Sequence, residues 1–191
     1  MSSRSAVIDS LEAKRNYSKV ARAFIYCNYA ERNEQTIEQL LGSLIQQLLR
    51  QCPIPNETRE VYNLHKDSKT RCGINVLTTQ LKLLVAQFST AYIVVDALDE
   101  CEDVNKTRST LLKQLEALAT HVRILVTSRP LGDITSLEKA VKFEIIAQEG
   151  DMHKYITAQI QQENQLLDLC RKDENLERDI LDQIVKKAHG M

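Results

Sequence analysis

Apolar residues along the chain fall into two kinds of pattern. Between Thr36 and Pro53 the residues Ile37, Leu40, Leu41, Leu44, Ile45, Leu48 and Leu49 fall three and four positions apart, which lays them along one stripe of an amphipathic helix. Thr36 and Gln39 have the spacing of a capping box at its start, and Pro53 and Pro55 end it. Leu77, Leu81, Leu84, Val85 and Phe88 predict a second helix, and Leu111, Leu112, Leu115 and Leu118 a third. Other stretches are β-branched or aromatic instead. Val20–Tyr29, Tyr92–Val95, the run opening at Val122 and Val141–Ile146 each predict a strand. Tyr92–Val95 has no alternation, so both of its faces are expected to be buried, as in a parallel sheet covered by helices.

Shorter signals complete the order. Ala6, Val7, Ile8 and Leu11 predict a helix over 2–15, residues 57–64 another, and 134–139 a third inside otherwise polar stretches. Strands alternating with helices at these intervals favour βαβ crossovers and a parallel α/β sheet. Beyond Gly150 only helical stripes occur: Met152, Tyr155, Ile156 and Ile160, then Leu176, Ile180, Leu181, Ile184 and Val185. Two parts are therefore expected, an α/β domain over 1–150 and a helical segment over 151–191.

Composition narrows the function classes. The 191 residues are 43% hydrophobic and 27% charged, an ordinary globular balance. A net charge of −1 argues against a nucleic-acid grip by bulk electrostatics, and no apolar run has the length of a membrane span. The five cysteines are widely spaced with no Cys-x-x-Cys, as expected of reduced thiols in a cytoplasmic protein, with no disulfide and no zinc site. The four histidines are equally scattered.

The candidate chemistry lies where buried strands stop. The run through Val95 ends on Asp96, with Asp99 and Glu100 close behind, and the run from Val122 ends on Thr127-Ser128-Arg129-Pro130. Parallel strands would open both ends on one side, the place where α/β sheets bind ligands. Carboxylates there can hold a cation, and a hydroxyl or guanidinium can meet a phosphate. Each group also has a plainer role: the acids as a helix-capping turn, and Arg129 as a salt-bridge partner of Asp96, Asp99 or Asp133.

Together these segments resemble the NACHT branch of the STAND class of P-loop NTPases, as found in large fungal receptor-like proteins that often carry ankyrin repeats. Ala23–Tyr29 and Ile37–Leu48 are similar to the family's second strand and following helix, Ile93–Cys101 to its Walker B, and Ile124–Pro130 to its sensor strand. The resemblance implies that Asp96 holds Mg²⁺ through water, that Asp99 and Glu100 position or activate water, and that Arg129, with Ser128 beside it, contacts the terminal phosphate of ATP or GTP. It also implies a nucleotide-dependent switch with slow hydrolysis, homo-oligomerisation on activation, and a helical lid beginning at 151.

One part of that pattern is missing. No Gly-x-x-x-x-Gly-Lys-Ser/Thr occurs in the sequence, so the fold is expected to be a P-loop NTPase-type parallel sheet lacking its P-loop strand. On this reading the chain belongs to a larger parent whose other domains are its partners, and alone it is inactive. The P-loop strand is expected between the Walker B and sensor strands, leaving those two beside an empty slot or beside each other. A nucleotide-free interaction scaffold with a vestigial site is the alternative, and an unrelated metal-dependent α/β enzyme using the Asp96 cluster is a third.

Overall fold

The computed structural model describes residues 19–31, 35–103, 105–118, 122–130, 140–145, 148–173 and 175–188. The chain divides into two compact units at Lys139/Ala140. In the first, three strands form a parallel sheet in sequence order: β1 Val20–Tyr26, β2 Thr90–Asp96 and β3 Val122–Val126. Helices α1 Ile37–Leu49, α2 Asn56–Asp67 and α3 Ile74–Val85 lie between β1 and β2 in the chain, and α4 Thr107–Glu116 between β2 and β3. The fold class expected from the alternation, a parallel α/β sheet with helices, is the one observed.

Local chemistry explains the elements. Thr36 accepts from the Gln39 amide while Gln39 returns a bond to the Thr36 amide, so the expected capping box satisfies two orphan donors at the head of α1. The stripe beyond it buries Ile37, Leu40, Leu41, Leu44 and Leu48. These pack with Leu81, Leu84 and Val85 of α3, with Leu111, Leu112 and Leu115 of α4, and with Ala21, Ala23, Ile25, Ala91, Ile93 and Val95 of the sheet. Small alanines on β1 and β2 let the leucine-rich helices approach closely. By contrast α2 buries only Thr58, which accounts for its weak apolar signal.

The second sheet face is less covered. Val94 is buried there, but Phe24 and Tyr92 are only half-buried and Leu125 is 41% exposed. The expectation of burial on both faces thus holds for Val94 and falls short at its neighbours. β2 and β3 pair directly, Ile93 with Ile124 and Val95 with Val126, so no slot separates them. Of the two arrangements expected, an empty slot or the strands beside each other, the second is observed: hydrogen-bonded neighbours about 4.8 Å apart leave no room for a strand between them.

At the other border of the sheet, side chains replace a fourth strand. Gln47 of α1 gives and takes one bond each with Phe24 of β1, at 2.8 and 2.9 Å. Gln51, in the turn ending α1, does the same with Arg22, at 2.6 and 3.0 Å. Gln35 donates to the Tyr26 carbonyl and accepts from the Asn28 amide. The spacing matches because four helical residues rise about 6 Å and two strand residues about 6.6 Å. A carboxamide carries one donor and one acceptor side by side, so it completes a strand residue as another peptide would.

Some expectations need correction or lie elsewhere. β1 stops at Tyr26, three residues early, and a 3₁₀ turn follows at Tyr29–Glu31. Residues 141–145 form no strand: Val141, Phe143 and Ile145 alternate as a strand would, yet are 79%, 85% and 93% exposed. Alternation supplies a face but not a ladder partner, and a strand needs both. Ile146 and the expected helices over 2–15 and 134–139 lie outside the described residues.

The second unit is a small helical cluster of α5 Glu149–Gln162, α6 Asn164–Lys172 and α7 Leu176–Ala188. Gly150 sits in the first turn of α5. Ile156, Ile160, Cys170 and Val185 form its core, with Met152, Leu166, Ile180 and Leu181 packed around them. Among the described residues no helix is long and apolar enough to cross a membrane.

Candidate functional site at the carboxyl ends of the strands

Register brings the site together. Val95 pairs with Val126, so the next residue on each strand, Asp96 and Thr127, meet across the gap. The Thr127 hydroxyl donates to Asp96 Oδ1 and accepts from the Ala97 amide at 3.0 Å. Its backbone closes the same turn, with the Thr127 amide on the Val95 carbonyl and the Leu98 amide on the Thr127 carbonyl, both at 2.9 Å. Thr127 lies in the segment Thr127–Pro130, in which the sequence points to Ser128 and Arg129. The signal available is that each buried run ends on a polar residue, Asp96 after Val95 and Thr127 after Val126.

The backbone is strained where it leaves β2. Ala97 has φ 54° and ψ 49°, the left-handed region, which costs an L-residue about 1–2 kcal/mol. The two bonds from Thr127 hold it there. From this corner the 3₁₀ turn Leu98–Glu100 buries Leu98 in the core and gives its two acids different partners.

Each carboxylate then engages a different part of the sheet's end. Asp99 Oδ1 accepts from the Arg129 amide at 3.0 Å, and Asp99 Oδ2 lies 3.7 Å from Arg129 Nε. The guanidinium is long for a hydrogen bond and its side chain is 84% exposed, so the ion pair contributes little and leaves the fork free to turn. Glu100 Oε2 accepts from the Tyr29 amide at 3.2 Å, across to the end of β1. Ser128 is exposed, and its hydroxyl donates to the Arg129 carbonyl. Asp96, Asp99, Glu100 and Arg129 therefore share one end of the sheet, as expected from sequence. The alternative expected for Arg129, a salt bridge with Asp99, is present too.

Behind the acids lies a pair of thiols. Cys27 and Cys101 are buried in the main core, and all five described cysteines are free. The nearby Cys101, burial and the neighbouring Asp96 and Asp99 push the Cys27 thiol far up. Cys101 donates to the Glu102 carbonyl at 3.9 Å, and Cys27 and Arg108 lower its thiol against its burial.

The donor set fits Mg²⁺ better than a tightly caged metal. Among the described residues no group of three or more His, Cys, Asp or Glu is arranged to hold an ion. Mg²⁺ keeps several waters and commonly takes only one or two carboxylates plus substrate phosphates, and Thr127 occupies just one oxygen of Asp96.

No curated protein matches the chain. The family model described as nephrocystin 3, N-terminal, matches residues 3–129, which takes in all three strands and the acidic turn. That match spans more than half of the sequence, and the chain belongs to the nephrocystin 3 N-terminal family.

Proposed function

We propose that the α/β unit is the magnesium and terminal-phosphate end of a nucleotide-dependent switch of the NACHT/STAND type, taking ATP or GTP. The observation that carries the reading is the meeting of Asp96 with Thr127 and of Asp99 with Arg129 at the carboxyl ends of adjacent parallel strands. Asp96 would hold Mg²⁺ through water, using the oxygen that Thr127 leaves open. Bound there, the ion would neutralise phosphate charge. Asp99 and Glu100 orient water, Arg129 turns its exposed guanidinium onto the terminal phosphate, and Ser128 offers a hydroxyl beside it. Thr127 fixes the Asp96 carboxylate and is a positioning residue.

These groups hold one end of a nucleotide only. Carboxylates that share Mg²⁺ with phosphate grip it weakly until the phosphate chain is itself held, the task of a glycine-rich loop with its amides and lysine. The 191 residues by themselves are therefore inactive in hydrolysis, and their partners are other domains of a parent protein and further copies of it. Free thiols suit the cytoplasm.

The test is calorimetry with Mg²⁺–ATP and Mg²⁺–GTP on the chain and on a version extended by a P-loop strand. Binding is expected to be weak for the first and clear for the second, and Asp96→Ala in the second to lower affinity about 10–100-fold. One observation favours a second reading, a nucleotide-free scaffold: all three carboxylates already have protein partners. An extended protein that binds neither nucleotide would select that reading.

A further inference from the structure

We propose that the open edge of β3 is an interaction surface for a second copy of this chain, which adds its residues 141–145 there as an antiparallel strand. The backbone sets what the edge can take. Thr127 turns its amide to the Val95 carbonyl and its carbonyl to the Leu98 amide, both on the β2 side. Successive strand residues face their backbone groups opposite ways. Arg123 and Leu125 therefore bond toward β2, and Val122, Ile124 and Val126 turn their amides and carbonyls outward. Among the described residues the sheet ends at β3 and nothing bonds to those outward groups.

Residues 141–145 have the complementary form. Val141, Phe143 and Ile145 alternate with Lys142 and Glu144, all five are exposed, and the segment belongs to no ladder. Set antiparallel with Phe143 opposite Ile124, Val141 meets Val126 and Ile145 meets Val122. These are the hydrogen-bonded pairs, each exchanging two bonds with an outward residue of β3. Their side chains fall on the sheet face where Val122 lies in the core and Ile124 and Val126 pack against it. The pairs between them are the close, non-hydrogen-bonded kind, with Cα atoms about 4.5 Å apart. There Glu144 stands opposite Arg123, and Lys142 covers Leu125 with its methylene stem.

Charge selects this arrangement from its rivals. The same segment laid parallel sets Lys142 opposite Arg123, a like-charge pair that destabilises. A second copy's β3, laid antiparallel about Ile124, sets Arg123 opposite Leu125 and matches no charge. Of the three, the antiparallel 141–145 strand alone supplies an apolar residue for each core-side position and a carboxylate for Arg123. β1 does not compete, since Gln35, Gln47 and Gln51 occupy its outward groups. The occupant is another copy because the three-stranded sheet of one chain leaves this segment outside it. The surface stands independently of the nucleotide reading.

Sedimentation velocity of the whole 191-residue chain, up to millimolar concentration and with charge-reversed variants, tests this. The unsubstituted chain is expected to self-associate. Arg123→Glu and Glu144→Arg each set like charges opposite one another and should weaken association about 2–30-fold. The double variant restores an opposite-charge pair and should recover it. Both side chains are exposed, so the substitutions leave the core untouched. A chain monomeric at every concentration overturns the proposal, including one whose own segment protects its β3 amides from exchange. Association that neither single variant weakens, or that the double variant fails to restore, overturns it as well.

Discussion

The two outer strands of the sheet end in different chemistry. Along β1, Gln35, Gln47 and Gln51 meet the outward backbone groups of Arg22, Phe24, Tyr26 and Asn28 with their carboxamides. Along β3, among the described residues, no side chain bonds to the backbone of Val122–Val126, and Leu125 lies 41% exposed. An unpaired strand edge invites another strand, and proteins commonly discourage it with charges, bulges or prolines. Here β1 is closed by hydrogen bonds that imitate a neighbour. Among the described residues the sheet is finished on one side only, and the side without such bonds is the one next to Thr127 and Arg129.

Removing the carboxamides should break that contrast most severely. Gln47→Ala with Gln51→Ala leaves four backbone groups of Arg22 and Phe24 without their protein partners, those of Phe24 partly buried. The expected loss is about 2–4 kcal/mol in urea unfolding, most of it from Gln47. Hydrogen exchange adds a sharper reading: the Arg22 and Phe24 amides should exchange slowly in the unsubstituted protein and fast in the double variant. Gln47→Glu should cost nearly as much as Gln47→Ala, because a carboxylate can accept from Phe24 but cannot donate to it.

The site side of the sheet carries the next effects. Thr127→Val keeps the shape but removes the donor to Asp96 and the acceptor for Ala97, with an expected cost of about 1–3 kcal/mol in thermal unfolding. Ala97→Gly should act in the opposite direction, or be neutral. It relieves a left-handed alanine but adds freedom to the unfolded chain, so stability should rise by no more than about 1 kcal/mol. The smallest change is expected at the open edge. Leu125→Lys should alter stability by under about 0.5 kcal/mol, yet reduce self-association in sedimentation, since a lysine on a free edge discourages strand addition.

Those elements differ in how far they could be read from sequence. Period located α1, α3 and α4, each of which buries a stripe of leucines, and β-branched or aromatic runs located the three strands. The glutamines gave no such sign. Gln47 stands on the polar side of α1 and Gln51 in the turn ending it, where solvent is the ordinary expectation, and only the match between helix and strand rises assigns them to β1. Val141–Ile145 misled in the opposite way, showing the alternation of a strand where no ladder forms. In the site, Asp96, Asp99, Glu100 and Arg129 stood out as charges ending apolar runs. Thr127 did not, because its importance comes from the register between β2 and β3, which a single run cannot reveal. The direct pairing of those strands was one of the two arrangements expected, and only the register chooses between them.

The account centres on one claim, that Mg²⁺–nucleotide meets this chain at the ends of β2 and β3. Backbone-amide NMR during titration with Mg²⁺–ATP tests it most directly, because it maps binding too weak for calorimetry. The account predicts weak binding, with a Kd of about 1 mM or above. Its shifts should be confined to Asp96–Glu100 and Thr127–Arg129 and lost in Asp96→Ala. Shifts confined to other parts of the chain, or shifts at these residues that survive Asp96→Ala unchanged, would contradict it.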